Sequence, residues 1–258
     1  MSRLRARCPD CRTLTAVALG PEYQCHTCGR EFAAGLLRVP RAWGKGGEAM
    51  AEAAFLELPY PETGIVEAAS LEEQTLLVAS ELPDRPLVLG GCCCAHVGAI
   101  EALSAGEECL AVVWIDAHGD LNTPATSPSG NAWGMPLRMV IDDGAVEPRH
   151  VALIGARNLD PPETEFIAAS GVQVGDGAVA RALEGADAVY VALDADAAEP
   201  GELTAFMPEP EGLSVDELEE LLRDVAGRMR VAGAGFSGLL RDPANEPKLA
   251  RFAAALGL

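Results

Sequence analysis

Along most of this 258-residue chain, short and nearly unbroken apolar runs alternate with segments of helical period. That alternation predicts an α/β protein: a three-layer α/β/α domain on a mostly parallel sheet, whose strands are covered on both faces and so show no polar side. Two closely spaced cysteine pairs near the start predict a small ribbon over residues 1–37, with the α/β/α domain over residues 38–258. At 49 % hydrophobic residues the chain can bury a large core, which excludes a disordered protein.

The ribbon rests on Cys8-Pro9-Asp10-Cys11 and Cys25-His26-Thr27-Cys28. Each C-x-x-C turn can wrap two thiolates around one face of a metal ion, and a hairpin turning at Gly20-Pro21 would complete a tetrahedral Cys₄ site for one structural zinc. A segment this short has almost no apolar core, so its folding is expected to depend on the metal. Redox-active pairs are the competing reading. Residues 1–45 carry eight basic and three acidic side chains, a local +5 on a chain of net charge −20. The acidic body argues against nucleic acid as a partner. The basic head reads as a docking or stabilising appendage, with recruitment of nucleic acid or protein as the alternative. The first seven residues lack the apolar stretch of a secretory leader, and no run approaches the roughly 20 apolar residues that cross a bilayer. The expected setting is the cytoplasm, with no membrane partner and with reduced cysteines.

In the body, residues 32–47 read as a linker. Strands are expected at 53–58, 86–89, 110–115, 150–154, 172–174, 188–193 and 230–234, and helices at 71–80, 95–103, 162–170, 178–183, 215–229 and 247–256. Ser70-Leu71-Glu72-Glu73 and Ser214-Val215-Asp216-Glu217 read as capping boxes, in which hydroxyl and carboxylate satisfy the free amides of the first turn.

Ligands of open parallel sheets bind at the carboxyl ends of the strands. Three of the expected strands run straight into metal-ligating side chains. The first leads into Asp116-Ala117-His118-Gly119-Asp120-Leu121-Asn122, where extended backbone would put Asp116, His118 and Asp120 on one side. The second leads into Asp194-Ala195-Asp196, two carboxylates that repel each other unless a cation lies between them. The third leads into Gly90-Gly91-Cys92-Cys93-Cys94-Ala95-His96, which offers thiols and an imidazole. Carboxylates with an imidazole at such spacing suit a divalent cation.

The aspartate segments, with Ser129-Gly130-Asn131-Ala132-Trp133-Gly134-Met135-Pro136-Leu137 between them, resemble the signature segments of the arginase/agmatinase (ureohydrolase) family, in the same order and over roughly residues 50–258. The resemblance implies two manganese ions at the strand ends and hydrolysis of a guanidino or amidino group of a small molecule, with paired cations activating water. It implies that Asp116 and Asp194 are shared between the ions. Asp120 and Cys93 would complete one shell, and His118 and Asp196 would belong to the other ion. Asp120 and His118 would be catalytic as well. Asn122, Ser129, Asn131 and Trp133 would contact substrate, and Asp160 and Glu163 of Arg157-Asn158-Leu159-Asp160-Pro161-Pro162-Glu163 would receive an amino group. A homo-oligomer is also implied.

Three departures shape the expectation. Cys93 stands where the family has a metal-binding histidine, which softens that position and admits zinc, iron or nickel beside manganese; His96, about one helical turn later, is the alternative ligand. Trp133 replaces a histidine proposed as a proton shuttle, and an indole does no acid–base work though it can wall off a pocket. Near the last strand, Gly233-Ala234-Gly235-Phe236-Ser237-Gly238 offers no glutamate to grip a guanidinium. The expected function is therefore metal-dependent hydrolysis of C–N bonds in a linear amidine or guanidino-type small molecule other than arginine. The alternative is a catalytically inactive, metal-binding relative that acts as a binding or regulatory module through its ribbon. Elemental analysis is expected to find two metal ions in the body and one in the ribbon, the latter lost when the ribbon cysteines are replaced. A single zinc held by the ribbon alone would contradict the binuclear centre.

Overall fold

The computed structural model describes residues 4–107 and 109–258; Arg3, one of the basic residues of the head, lies outside the described residues. β1 (Arg5–Ala6), β2 (Ala16–Leu19), β3 (Glu22–Cys25) and β4 (Glu31–Phe32) form an antiparallel sheet in that order. The cysteine turns face each other across it. Cys8 and Cys28 Sγ lie 3.7 Å apart, Cys11 and Cys25 Sγ 3.5 Å apart, and all four sulfurs fall within 4.8 Å of one another. Each turn is closed by a backbone bond, Arg12 N to Cys8 O at 3.0 Å and Gly29 N to Cys25 O at 2.7 Å. Apart from the cysteines, only Ala6, Ala16, Tyr23 and Phe32 are buried in this unit, too little apolar surface to hold it together.

The body is built on β5 (Gly35–Val39), β6 (Glu62–Ile65), β7 (Pro86–Gly90), β8 (Leu110–Ile115), β9 (Val151–Ile154), β10 (Ala188–Asp194) and β11 (Val231–Ser237). They form a wholly parallel sheet in the order β6-β5-β7-β11-β10-β8-β9. The connecting helices are α1 (Glu48–Ala51), α2 (Leu71–Glu81), α3 (Val97–Ser104), α4 (Pro136–Asp142), α5 (Pro161–Ser170), α6 (Ala178–Leu183), α7 (Val215–Arg228) and α8 (Glu246–Ala255). Side-chain alternation splits the strands between two cores. Leu89, Val113, Leu193 and Phe236 pack with Leu218, Leu222 and Phe252 from α7 and α8, and α6 joins this side. Val88, Val112, Trp114 and Tyr190 pack on the other side with Val78, Ile100, Leu137 and Val140 from α2, α3 and α4. The three expected layers are thus present. Among the described residues no helix is long and apolar enough to cross a membrane.

Several elements differ from expectation. Residues 53–58 are not a strand: Glu52–Phe55 make a single 3₁₀ turn, since an alanine-rich apolar run carries no β preference of its own. Residues 32–47 are not all linker, because they contain β5, and its Arg38 is a body residue rather than part of the basic head. Arg38 is buried, with Nε 2.6 Å from Glu62 Oε2 and Nη1 donating to the carbonyls of Ala54 and Leu56. Residues 172–174 make only a bridge at Gln173. Helix α4, unexpected from the sequence, begins at Pro136, whose fixed φ suits a first helical position. The Ser214–Glu217 capping box is reciprocal, whereas Glu73 passes Ser70 and accepts from Ala69 N instead.

The ribbon is seated on the outer edge of the sheet. Arg7 and Glu62 exchange two backbone bonds of 2.8 and 3.0 Å, so β6 is paired on both sides at Glu62, where the ribbon covers the start of its edge. Phe252→Ala, which removes a fully buried ring packed edge-on against Phe236, is expected to cost about 3–5 kcal/mol, read as a lower urea midpoint with an unchanged slope.

Candidate metal centre

The three strand-end segments meet at the carboxyl ends of the central strands. Cys93 opens a 3₁₀ turn after β7, Asp116 follows β8 directly, and Asp194 ends β10. Cys93 Sγ lies 2.9 Å from Asp194 Oδ2 and 3.7 Å from Asp116 Oδ2. Two groups have their donor atoms within 4.8 Å of one another: Cys93, Asp116 and Asp120, and Asp116, His118 and Asp196. Asp116 belongs to both; Asp194 stands beside the first through Cys93. The His118 Nδ1 lies 3.0 Å from Asp196 Oδ2 and 3.5 Å from Asp116 Oδ1. Backbone amides fix the cage: His118 N donates to Asp116 Oδ1, Asp196 N to Asp194 Oδ1 and Ala117 N to Asp196 Oδ1. Trp114 Nε1 adds a bond of 3.2 Å to Asp116 Oδ2.

Asp120 reaches the cage differently from the expected alternation. Its backbone is left-handed, φ +52°, a conformation unfavourable for a residue with a Cβ and one that turns the carboxylate inward. Its Oδ2 is buried and has no hydrogen-bond partner among the described residues. An orphaned carboxylate oxygen is costly unless something else binds it.

The electrostatics make the same demand. Burial raises the pKa of all four aspartates, Asp194 to about 7 and Asp196 to about 6, with each carboxylate adding to the repulsion on its neighbours. Burial, then Asp194, Asp120 and Asp116, push the Cys93 thiol well above its ordinary value. Burial opposes charge on His118, but bonds to Asp116 and Asp196 outweigh it and lift the imidazole to about 12. Among the described residues the ion pairs reaching these carboxylates all come from His118. One imidazolium among four buried carboxylates and a thiol leaves a deficit of positive charge that divalent cations would fill, and the oxygen-rich donor set with one imidazole and one thiol fits them.

The remaining expected residues divide. The cage floors a pocket also lined by Asn122, Ser129, Trp133, Asp160 and Glu163. Glu163 is already engaged, accepting from Leu121 N at 2.9 Å and Asp160 N at 2.9 Å, and Asp160 holds Asn122 Nδ2 at 2.8 Å. Asn131 does not line the pocket; its Oδ1 takes the Lys45 amide and fixes the neighbouring loop. Nor does His96 reach the cage: Nδ1 lies 3.0 Å from Tyr190 Oη and Nε2 3.1 Å from Ser237 Oγ, and burial pushes its pKa down to about 3. Of the three consecutive cysteines, Cys92 and Cys94 pack with Met50 in an apolar cluster and only Cys93 enters the cage. Sequence reasoning missed Trp114, Ser237 and the pocket residues Met50, Phe206 and Met207. Apolar residues on a strand or loop carry no signal of their own, though Ser237 could have been flagged as the polar end of an apolar strand.

The Arginase family model matches residues 56–239, most of the body. The chain belongs to the arginase family. Among curated relatives it is 36 % identical over 143 residues to the arginase of Bacillus caldovelox, covering 45 % of this chain and 48 % of that protein. The chain thus spans about half the length of that curated relative. Among solved structures, the arginase from Bacillus cereus superposes with a TM-score of 0.73 at 24 % identity, covering 86 % of this chain and 97 % of that one. Formimidoylglutamase from Bacillus subtilis subsp. subtilis str. 168 superposes at 0.65 and 19 % identity, covering 86 % and 84 %. At these identities the structural likeness establishes the shared fold. The ribbon lies outside the segment matched to the family.

The raised carboxylate pKa values have a definite sign. Protons stay on Asp194 and Asp196 in the folded, cation-free chain to higher pH than in the unfolded chain, so their contribution to stability is complete below the unfolded value and lost as pH rises through about 6 to 7. His118, also raised, contributes fully below its unfolded value and loses that contribution on the way to about 12. Cation-free protein is therefore expected to lose stability from about pH 4 to about pH 7 through Asp194 and Asp196 and further above about pH 6.5 through His118, and cation binding near pH 6 to expel protons. Calorimetric titration in two buffers of different ionisation enthalpy measures the release; binding without it would contradict this electrostatic picture.

Proposed function

We propose that the chain is a metal-dependent hydrolase of C–N bonds in a linear amidine or guanidino-type small molecule other than arginine. The observation that carries the reading is the cage of four buried aspartates, with His118 and Cys93, on the floor of a pocket and with Asp120 Oδ2 unpartnered. Asp116, His118 and Asp196 would hold one divalent cation and Cys93, Asp116 and Asp120 the other, with Asp194 beside them. Manganese is the choice by family likeness, and Cys93 admits zinc, iron or nickel. Bound there, the cations supply Lewis-acid polarisation and lower the pKa of water.

The chain's own residues do the rest. Asp120 Oδ2 is the atom placed to accept a proton from the attacking water, since among the described residues no hydrogen-bond donor competes for it. Trp133 packs edge-on against Phe206 at 5.9 Å and against Gly44, forming an apolar wall that excludes water and takes no proton. Asn122, Ser129 and Asp160 supply the polar end. Outside the cage the acidic lining is Asp160 and Glu163, both tied by hydrogen bonds, and Gly238 stands at the end of β11, so a guanidinium finds no free carboxylate there. That argues against arginine, whose guanidinium would lack a carboxylate of its own, and the amidine reading is supported by one structural neighbour that is itself named formimidoylglutamase.

The ribbon, in the same reading, is a structural zinc unit that closes the sheet edge, and a reducing cytoplasm keeps its thiols and Cys93 available. A homo-oligomer is the expected assembly. A screen of amidino and guanidino compounds for ammonia or urea release is expected to find a substrate whose turnover Asp120→Asn lowers by at least about 100-fold. Turnover that survives Asp120→Asn does not belong to this site, and a folded, metal-loaded protein inactive on every compound would favour the binding-module alternative.

A further inference from the structure

Behind the cage, a line of polar side chains crosses the core between β7, β10 and β11. Tyr190, His96 and Ser237 are all fully buried. Tyr190 Oη lies 3.0 Å from His96 Nδ1, His96 Nε2 lies 3.1 Å from Ser237 Oγ, and Ser237 Oγ lies 3.1 Å from Asp194 Oδ2 and 3.2 Å from Cys93 Sγ. The chemistry orders the protons along this line. With a cation in the cage Asp194 is ionised and only accepts, so the single Ser237 proton lies toward the cage, shared between Asp194 Oδ2 and Cys93 Sγ, and Ser237 must itself accept from His96 Nε2–H. The neutral ring then has a bare lone pair at Nδ1, which takes the Tyr190 hydroxyl proton. Every bond points the same way.

Room has been made for it. A Cβ on Gly235 of β11 would lie 2.6 Å from the His96 ring and 2.6 Å from Tyr190 Oη, so the strand carries a glycine where the rings pass. Apolar side chains of the same shape would fill this space with less desolvation cost, since each buried polar group must be fully satisfied merely to break even. The chain ends on the one cage position where a sulfur replaces a nitrogen donor, and a thiolate is the ligand whose donor strength a neighbouring hydroxyl changes most.

Resting on the metal-cage reading above, we infer that His96 is a positioning residue: by occupying the lone pair of Ser237 it holds the Ser237 proton toward Cys93 and Asp194 and so tunes the thiolate as a metal ligand. Outer hydrogen bonds of this kind orient ligands and adjust their basicity. A hydrogen bond lowers the energy of a sulfur lone pair, so its removal brings sulfur-to-metal charge transfer to lower energy.

Cobalt(II) loaded into the full-length protein reports this directly. The Cys93 contribution is isolated as the difference between wild type and Cys93→Ser, which cancels the ribbon thiolates. The difference spectrum is expected to contain a sulfur-to-cobalt band that moves to lower energy in Ser237→Ala and in His96→Leu, and stays in place in His96→Gln, whose amide N–H can reach the same oxygen. Ser237→Ala deletes a single hydroxyl and keeps the test open if His96→Leu fails to fold. An unmoved band in folded Ser237→Ala, or in folded His96→Leu, overturns the inference, as does a His96→Gln band displaced as far as that of Ser237→Ala. A wild type with no band beyond that of Cys93→Ser defeats the metal-cage reading itself, and the inference with it.

Discussion

The body of this protein is arranged around a repulsion. Asp116, Asp120, Asp194 and Asp196 are buried together at the ends of parallel strands, with His118 as their partner in charge. Like charges at this spacing in a low-dielectric interior cannot all stay ionised without cations, and the raised pKa values express that as retained protons. The fold supplies what the cluster needs in order to exist. Parallel β8 and β10 lie side by side in register, so Asp116 and Asp194 emerge next to each other. Backbone amides hold three of the four carboxylates, and the left-handed turn at Asp120 delivers the fourth with one oxygen left open.

Much of this is written in the sequence, for physical reasons that can be named. Strands buried on both faces leave uninterrupted apolar runs, so β7, β8 and β10 stand out, and their carboxyl ends are where polar residues become conspicuous. The helix cap at Ser214 is local chemistry and carries over from sequence to structure, whereas the cap that Asp160 makes on α5 is not read from the sequence. What was hidden depends on tertiary context. Arg38 looked like linker charge because nothing local announces that Glu62, twenty-four residues later, will neutralise it inside the sheet. His96 looked like a spare ligand because it follows the cage thiol by about one helical turn, yet its ring turns toward Tyr190 and Ser237, which come from other strands. Glu163 and Asn131 have the residue types of substrate contacts and are occupied by backbone amides instead.

The departures from the family pattern form a connected set. Trp133, Gly238 just after β11 and Cys93 give the pocket an apolar wall, a position without a side chain and a soft donor. A thiol among the cage donors makes that metal position softer than one of oxygen and nitrogen donors alone. The ribbon is separate from this chemistry. It meets the body through the Arg7–Glu62 bonds at the sheet edge, far in topology from β8 and β10, and its position suits a cover for that edge.

We propose that the buried carboxylate cage is a cation site with one sulfur ligand. Anomalous diffraction from crystals grown with manganese or zinc tests it most directly. The account predicts two peaks in the body, one within bonding distance of Cys93 and Asp120, the other of His118 and Asp196, with Asp116 touching both. A cage without anomalous density in protein saturated with either metal, its carboxylates bridged only by protons and water, would contradict it.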